Sequence, residues 1–151
     1  MDRSAADRAV VEAFRVGRDP EGMHRDRLLL HTTTGRRTGQ ARTTPMMFHR
    51  DGYRPMVVAS NAGAMLDPQW FRNLLSHSQV LVEVGEERYP AVARALTGAE
   101  YDAAWADITA RLPFFLDHQA GVQRRIPVVE LARRDDGPTT GPPIRSSATS
   151  K

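Results

Sequence analysis

The chain contains no cysteine, and that absence removes several kinds of chemistry at once. Disulfides, thiolate zinc sites, iron–sulfur clusters and cysteine nucleophiles all need the missing thiol. No window comes near the roughly eighteen consecutive apolar residues of a membrane-spanning helix. The first residues, MDRSAADRAVVEAF, carry charges where a signal peptide has an uninterrupted apolar segment. We therefore expect a cytoplasmic protein.

Lysine is nearly absent, since all but one of the 21 basic residues are arginine and only Lys151 is lysine. A GC-rich coding sequence explains such a bias without any functional meaning. The functional interpretation is that arginine grips phosphate or carboxylate in a two-pronged way that lysine cannot. The net charge of +3 is too small to decide between them, so composition leaves both open.

Several catalytic motifs are also missing. The five histidines, at positions 24, 31, 49, 77 and 118, show no metal-binding spacing such as HExxH, and we expect no metal site. There is no GxSxG elbow for a serine hydrolase. There is no strand–GxGxxG–helix unit, which argues against a dinucleotide-binding fold of the Rossmann type. Hydrolysis by a serine triad or by zinc therefore has no support.

The patterns that are present predict one domain rich in β-strands. Short β-branched or alternating runs are separated by hairpin turns, which indicates a mostly antiparallel sheet of about six strands. Such a sheet usually closes into a barrel with helices outside it, an α+β fold that is mainly β. The predicted strands are Leu28–Thr34, Thr43–Phe48, Met56–Ser60, Val80–Val84, Arg88–Leu96 and Ile126–Leu131. The predicted helices are Ala5–Phe14, one starting at Asp67-Pro68, one capped by Thr97 and Glu100, and Phe114–Gln123.

The chain divides into three parts on this interpretation. Residues 1–26 form an N-terminal helical segment, which we expect to pack on the domain, although a membrane surface or a partner remain open. Residues 27–132 form the barrel domain. Residues 133–151, rich in Pro, Gly, Ser and Thr, are expected to be a disordered tail.

Two stretches could carry a ligand. The first is a glycine-flanked turn with three arginines, Arg36, Arg37 and Arg42, among threonine hydroxyls, which suits phosphate or carboxylate oxygens. A solvated turn in an arginine-rich protein is an equally good interpretation on spacing alone. The second runs from Val58 to Asn73: small residues that let a flat ring approach, then a helix start with Trp70. A plain core role for Trp70 and Phe71 is the simpler alternative.

Taken together, these stretches resemble the deazaflavin-dependent nitroreductase family. The similar segments, in the family's order, are LLLHTTTGRRTGQ at 28–40, RTTP at 42–45, VVASN at 57–61, PQWFRNL at 68–74 and RIPVV at 125–129. The resemblance implies a split β-barrel and an oxidoreductase that uses reduced coenzyme F420. This coenzyme joins a deazaflavin ring to a phosphate and a γ-glutamyl tail, and it transfers a hydride to an organic acceptor.

The resemblance also implies which residues bind the coenzyme. The tail and phosphate would be held by Arg36, Arg37 and Thr38. The next part would be lined by Arg42, Thr43, Thr44, Pro45, Met46 and Met47. The ring would run along Val58, Ala59, Ser60 and Asn61. The site would be closed by Gln69, Trp70, Phe71, Arg72 and Asn73. Ser60 is a candidate proton donor, although water could serve.

The acceptor side departs from the family pattern. Members that reduce nitroimidazoles place tyrosines where this chain has Phe115 and His118, which we expect to contact the substrate. Phenylalanine cannot donate a proton, so a quinone or another enone is at least as plausible an acceptor as a nitro compound. The alternatives left open are an FMN-binding barrel of the same fold and a non-catalytic protein that binds a cofactor or nucleic acid. A homodimer is expected from the family.

Overall fold

The computed structural model describes residues 3–51 and 54–134 as a curled antiparallel sheet with helices packed on it. The strands are β1 (Leu28–Thr34), β2 (Ala41–Met47), β3 (His49–Asp51), β4 (Arg54–Val58), β5 (Gln79–Val84), β6 (Glu87–Ala95) and β7 (Val128–Arg133). The helices are α1 (Arg3–Arg15), α2 (Gln69–Ser76), α3 (Gly98–Arg111) and α4 (Phe114–Ala120). Short 3-10 turns occupy Arg25–Arg27 and Asn61–Gly63.

The sheet order, β2-β1-β5-β6-β7-β4-β3, explains why the sheet curls. The two edge strands, β2 and β3, are consecutive in the chain and only Phe48 separates them. A flat sheet would hold its edges far apart, so the sheet must bend until they meet at this corner. The predicted split barrel is confirmed. The seventh strand is β3, which the sequence pattern did not separate from the turn before β4.

The interior of the barrel is apolar and is closed at one end by α2. Trp70, Phe71 and Leu74 of this helix pack against inward-facing residues of the strands, such as Leu29 and Val57. Inward and outward residues alternate along each strand. α2 is therefore fixed by core packing, and its first turn is presented at the barrel rim.

A second apolar layer lies outside the sheet. Met56 and Val58 of β4 and Val128 of β7 pack against Ile108 of α3 and Phe115 of α4. Tyr101 anchors α3, because its hydroxyl donates a 2.6 Å hydrogen bond to the carbonyl of Ile126. α3 and α4 are thus held over the end of β4, where the chain enters the loop that follows.

α1 packs on the outer face of β1, as expected for the N-terminal segment. Phe14 is buried against Leu28 and Leu30, and Arg15 donates two hydrogen bonds, of 3.0 and 2.8 Å, to the Glu83 carboxylate. No helix among the described residues is long and apolar enough to cross a membrane. The boundary at residue 26 stays a prediction, and residues 135–151 of the expected tail lie outside the described residues.

Both helix caps predicted from the sequence form differently. Pro68, not Asp67, is the N-cap residue of α2, and Asp67 instead accepts a 2.7 Å hydrogen bond from Arg124. Thr97 does stand at the N-cap of α3, but its side chain makes no capping hydrogen bond. Glu100 pairs with Arg94 at 2.9 Å. In each case an arginine brought close by the fold competes with backbone amides for the carboxylate.

Candidate functional site

The arginine turn is an ordered hairpin between β1 and β2. The amide of Gly35 donates to the Gln40 carbonyl at 2.8 Å, and the amide of Gly39 donates to the Gly35 carbonyl at 2.8 Å. Gly39 has a φ of +73°, a conformation that glycine adopts without strain. The Thr38 hydroxyl accepts a 3.2 Å hydrogen bond from the Gln40 amide. The turn therefore has a fixed shape from which its arginines project.

Arg36 joins this hairpin to the first turns of α2. Its Nη1 donates hydrogen bonds of 2.8 Å to Gln69 Oε1 and 2.8 Å to Asn73 Oδ1, and its backbone amide donates to the same Asn73 oxygen at 3.2 Å. Between them lies a small cavity of about 220 Å³, the hairpin cavity. It is lined by Gly35, Arg36, Arg37, Thr38, Arg42, Gln69 and Asn73.

A larger cavity of about 650 Å³, the polar cavity, continues from it and shares Arg42, Gln69 and Asn73. Its lining also includes Thr33, Ala41, Thr43, Thr44, Asn61, Leu66, Asp67, Pro68, Trp70 and Arg72. α1 adds Asp7 and Arg8, which sequence reasoning did not assign to a site. Their position depends on how α1 packs across β1, and no local motif signals that.

The positive charge around these cavities is concentrated and largely uncompensated. Five arginines that line them take part in no ion pair with a carboxylate among residues 3–51 and 54–134: Arg8, Arg36, Arg37, Arg42 and Arg72. Desolvation, followed by the positive charges of Arg37 and Arg72, lowers the pKa of Arg36. Unpaired guanidinium groups that repel one another are stabilised by a bound anion.

Beneath the polar cavity lie polar side chains without partners. Thr33 lines the cavity, and its buried hydroxyl has no hydrogen-bond partner within the described ranges. On the same face of β1, His31 is fully buried and its ring meets Trp70 edge-on, with 4.7 Å between centroids. Burial lowers the pKa of His31 to about 4, so the imidazole is neutral. Trp70 thus belongs both to the core and to the cavity wall.

A third cavity, the apolar cavity, has a volume of about 220 Å³ and a different character. Its lining is Pro45, Met46, Met47, Phe48, His49, Met56, Val58, Ser60, Ile108, Leu112, Phe114 and Phe115. The predicted residues among these are Pro45, Met46, Met47, Val58, Ser60 and Phe115. His49 is the polar side chain that the sequence analysis passed over, because its ion-pair partner Asp107 lies 58 positions away.

The polar and apolar cavities adjoin each other at two points of the chain. Along β2, Thr44 lines the polar cavity and the next residue, Pro45, lines the apolar one. After β4, Ser60 lines the apolar cavity and Asn61 the polar one. Ligands of the two cavities would therefore contact neighbouring residues of the chain at these two points, which we call the seam.

The loop at the seam is strained and clamped. Asn61 and Ala62 have φ angles of +51° and +55°, which side chains with a Cβ rarely adopt. Arg124 holds the loop: its guanidinium donates to the carbonyls of Ser60 at 2.8 Å, Ala59 at 3.2 Å and Ala64 at 3.1 Å, besides Asp67. The sequence analysis did not single out Arg124, because nothing local shows that it reaches back across the fold.

Three of the predicted site residues are not in the described lining of the three cavities. Ala59 is fully buried, and Phe71 packs in the barrel core. His118 lies beside Gly63 and behind Phe115, with 5.9 Å between the two ring centroids. The described lining of the apolar cavity includes Phe115 and excludes His118. Their predicted contacts with coenzyme or substrate stay predictions.

Comparison with known proteins agrees with this arrangement. A family model described as F420H(2)-dependent quinone reductase matches residues 4–132. An F420H(2)-dependent quinone reductase of Mycobacterium tuberculosis (strain ATCC 25618 / H37Rv) is 36% identical over 110 residues, which cover 71% of this chain and 73% of that protein. A relative of the same organism, a putative F420H(2)-dependent quinone reductase, is 29% identical over 106 residues, 70% of this chain and 89% of that one.

A solved structure described as an F420-H2 dependent reductase, FDR-A, superposes with a TM-score of 0.64 at 30% identity. The match covers 70% of this chain and 93% of that one. The resemblance noted from the sequence motifs is thereby confirmed, together with the oxidoreductase class and the coenzyme that it implied. The chain belongs to the F420H(2)-dependent quinone reductase family.

Proposed function

We propose that this chain binds F420H2 across the polar and hairpin cavities and reduces a quinone held in the adjoining apolar cavity. The observation that carries the proposal is the seam at Thr44–Pro45 and Ser60–Asn61. There an arginine-lined cavity and an apolar cavity share a boundary. Hydride transfer needs donor and acceptor in van der Waals contact, and two adjoining cavities supply that arrangement.

The described residues fit the coenzyme at both ends. Arg36, Arg37 and Thr38 would hold the negatively charged tail and phosphate, and Arg42, Thr43 and Thr44 the part that follows. The repulsion among the guanidinium groups favours a polyanion there. At the ring end, the unpartnered hydroxyl of Thr33 offers a hydrogen bond and Trp70 a flat wall. Asn61, Gln69, Arg72 and Asn73 would complete the site.

When bound, F420H2 supplies the hydride, and the protein supplies orientation and shelter from water. Trp70 and Thr33 would contact the ring from the wall of the polar cavity. Arg124 keeps the Ser60–Asn61 turn at the seam through its hydrogen bonds to backbone carbonyls. The apolar lining excludes water from the reacting atoms, which favours a hydrophobic acceptor such as a quinone.

The apolar cavity supports a quinone better than a nitro compound. Its aromatic residues are Phe48, Phe114 and Phe115, which pack on a planar ring and donate no hydrogen bond to a nitro group. Polar contacts come from Ser60 and His49 at its edge. The acceptor side is therefore suited to a flat molecule with carbonyl oxygens, and enones remain a second class to test.

The test is a fluorescence titration of the purified protein with F420 and FMN side by side. We expect F420 to bind more tightly. The variant Arg36→Ala/Arg37→Ala should weaken F420 binding at least tenfold, about 1.4 kcal/mol, because it removes two charges from the tail site. The matched control is Arg18→Ala/Arg88→Ala, which removes the same charge from exposed positions away from the cavities and should leave binding within twofold.

Unchanged F420 affinity in the Arg36→Ala/Arg37→Ala variant would reject the tail site. Tighter binding of FMN than of F420 would instead favour the flavin alternative. A nucleic-acid binder would show affinity for DNA or RNA that falls steeply with salt, which the same instrument can measure.

The homodimer and the peripheral membrane contact expected from the sequence remain parts of this proposal. One structural neighbour, at 27% identity and a TM-score of 0.67, covers 86% of this chain and 99% of its own and is described as a domain-swapped dimer. Here Met65, Leu66 and Leu75 are largely exposed, which supports a covered face. Sedimentation velocity, with and without vesicles of anionic lipid, decides between a dimer, a membrane-bound chain and neither.

A further inference from the structure

Quinone reduction consumes a proton as well as a hydride, and the apolar cavity holds a side chain suited to deliver it. His49, the first residue of β3, lines this cavity beside Met47, Met56 and Phe114. Its side chain is only 7% exposed. Histidine is the side chain that most readily exchanges a proton near neutral pH. No other residue in the described lining of the apolar cavity has a side chain that titrates there.

His49 is held by a carboxylate that reaches solvent. Its Nε2 lies 2.7 Å from Oδ2 of Asp107 on α3, and the Asp107 side chain is 51% exposed. A carboxylate at Nε2 accepts a hydrogen bond and so keeps a hydrogen on that nitrogen, which leaves Nδ1 as the nitrogen that can exchange a proton with a bound acceptor. The pair therefore fixes the ring in the wall of the apolar cavity, which is partly open to solvent, so that Nδ1 can regain its proton from water there.

The geometry points to His49 as the general acid that protonates the reduced acceptor, with Asp107 as its positioning residue. This inference rests on the proposed function. The quinone accepts the hydride, with its two electrons, from F420H2 and becomes a hydroquinone anion. The Nδ1–H bond of protonated His49 breaks, an O–H bond forms on the acceptor oxygen, and the electron pair stays on Nδ1. Neutral His49 then regains a proton from solvent.

Charged groups around the pair set how this step depends on pH. Arg111 lies 3.6 Å from Asp107 on the same helix, and Asp107 also borders a groove with Arg54, Glu100 and Glu130. The residues that β2 and α4 contribute to the cavity lining carry no titratable group. Because Asp107 orients the ring through Nε2, its loss should lower kcat with a quinone and leave F420 binding unchanged.

The decisive experiment compares two acceptors in the loaded enzyme. Menadione needs both a hydride and a proton, whereas the N-methylphenazinium cation becomes a neutral dihydrophenazine on gaining a hydride alone. We expect His49→Gln to lower kcat with menadione about a hundredfold and to lower kcat with N-methylphenazinium at least tenfold less than that. His24→Gln, at an exposed position outside the cavities, is the matched control.

Asp107→Asn provides a second variant at a half-exposed position, should His49→Gln fail to fold. Its loss of kcat should be at least tenfold larger with menadione than with N-methylphenazinium, while F420 binding stays unchanged. A readout without turnover is NMR of histidine-labelled apoprotein: anaerobic addition of menadiol should shift the ring signals of His49 and not those of His24.

Two results would overturn the inference. One is a kcat with menadione that stays within twofold in His49→Gln, and the other is an equal loss with both acceptors. Either leaves F420 binding by the wild-type chain intact, whereas failure of the wild-type chain to bind F420 would remove the proposed function itself.

Discussion

His31 is the buried histidine of the barrel core, and its environment makes it a weak point in acid. Both ring nitrogens lack a hydrogen-bond partner among the residues that the structure describes, and the ring contacts Trp70. Burial lowers its pKa to about 4 from the ordinary 6.5. A neutral ring fits this site, whereas a charged one would have neither water nor a counter-ion.

The first residue-scale prediction concerns the stability of the protein in acid. The unfolded chain binds a proton at His31 below pH 6.5 and the folded chain only below about 4, so stability falls as pH drops through that window. The loss is about 3 kcal/mol. Urea unfolding at several pH values should show His31→Leu losing less stability than the wild type between pH 6.5 and 4. His77→Leu, at an exposed position, should follow the wild type. If His31→Leu lost as much stability as the wild type between pH 6.5 and 4, the lowered pKa of His31 would not be the cause.

At single positions, the sequence indicated candidate site residues that belong to a local motif. It missed residues whose partners come from distant parts of the chain. Arg36 was assigned to the candidate site because three arginines and two glycines belong to one hairpin. His49 was passed over because its partner Asp107 comes from a helix far along the chain. No pattern in the neighbourhood of either residue could reveal the pair.

At the scale of elements, the loop between β4 and α2 depends on one side chain. Arg124 is 15% exposed and bonds to three carbonyls and the Asp67 carboxylate. Without it these acceptors would lose their partners in a poorly hydrated place, while Asn61 and Ala62 remain in a strained conformation. The loop would then relax away from the seam.

We therefore expect Arg124→Ala to lower the free energy of unfolding by about 3 kcal/mol and to weaken quinone reduction more than F420 binding. Arg125→Ala is the matched control: its ion pair with Asp102 is exposed on both sides and its guanidinium lies 3.5 Å from the Tyr101 ring centroid, so its loss should cost about 1 kcal/mol. Urea unfolding and steady-state kinetics measure both. Equal effects of the two substitutions would show that the clamp does not hold the loop.

Element types were predicted well because their signals are local. Alternating β-branched runs marked the strands, and Trp70, Phe71 and Leu74 marked the buried side of α2. The caps at Asp67 and Thr97 were less predictable, because a carboxylate or hydroxyl that suits a backbone amide also suits an arginine or water. The outcome for Asp67 was decided by Arg124, 57 positions away, and that for Glu100 by Arg94, only six positions away but on β6.

Over the whole molecule, the charge distribution predicts how coenzyme binding responds to salt. The chain carries a net charge of +3, and five arginines without an ion pair in the described ranges line the polar and hairpin cavities. A polyanion should be attracted and held at low ionic strength and released as salt screens the field. We expect the Kd for F420 to rise about tenfold between 50 and 500 mM NaCl. A deazaflavin riboside without phosphate and tail should change by less than twofold, and an equal salt response of the two would contradict the placement of the tail.

The sequence allowed a barrel to be predicted. It did not show that the barrel closes at Phe48, between β2 and β3. Six antiparallel strands could be counted from turns and alternation. That β2 and β3 form opposite edges depends on which distant strands pair, and Phe48 carries no signal of that role. The same holds for the cavity linings, because Asp7, Thr44 and Asn61 come together only once the strand order is set.

The corner at Phe48 has a consequence for how this enzyme can change. Met47, Phe48 and His49 lie where the edge strands β2 and β3 come together, and all three line the apolar cavity. A quinone bound there would lie beside the two edge strands of the sheet, β2 and β3. Exchanging residues at this corner would therefore change the lining of the apolar cavity and leave in place the proposed coenzyme contacts of the β1–β2 hairpin, of Arg42, Thr43 and Thr44, and of α2.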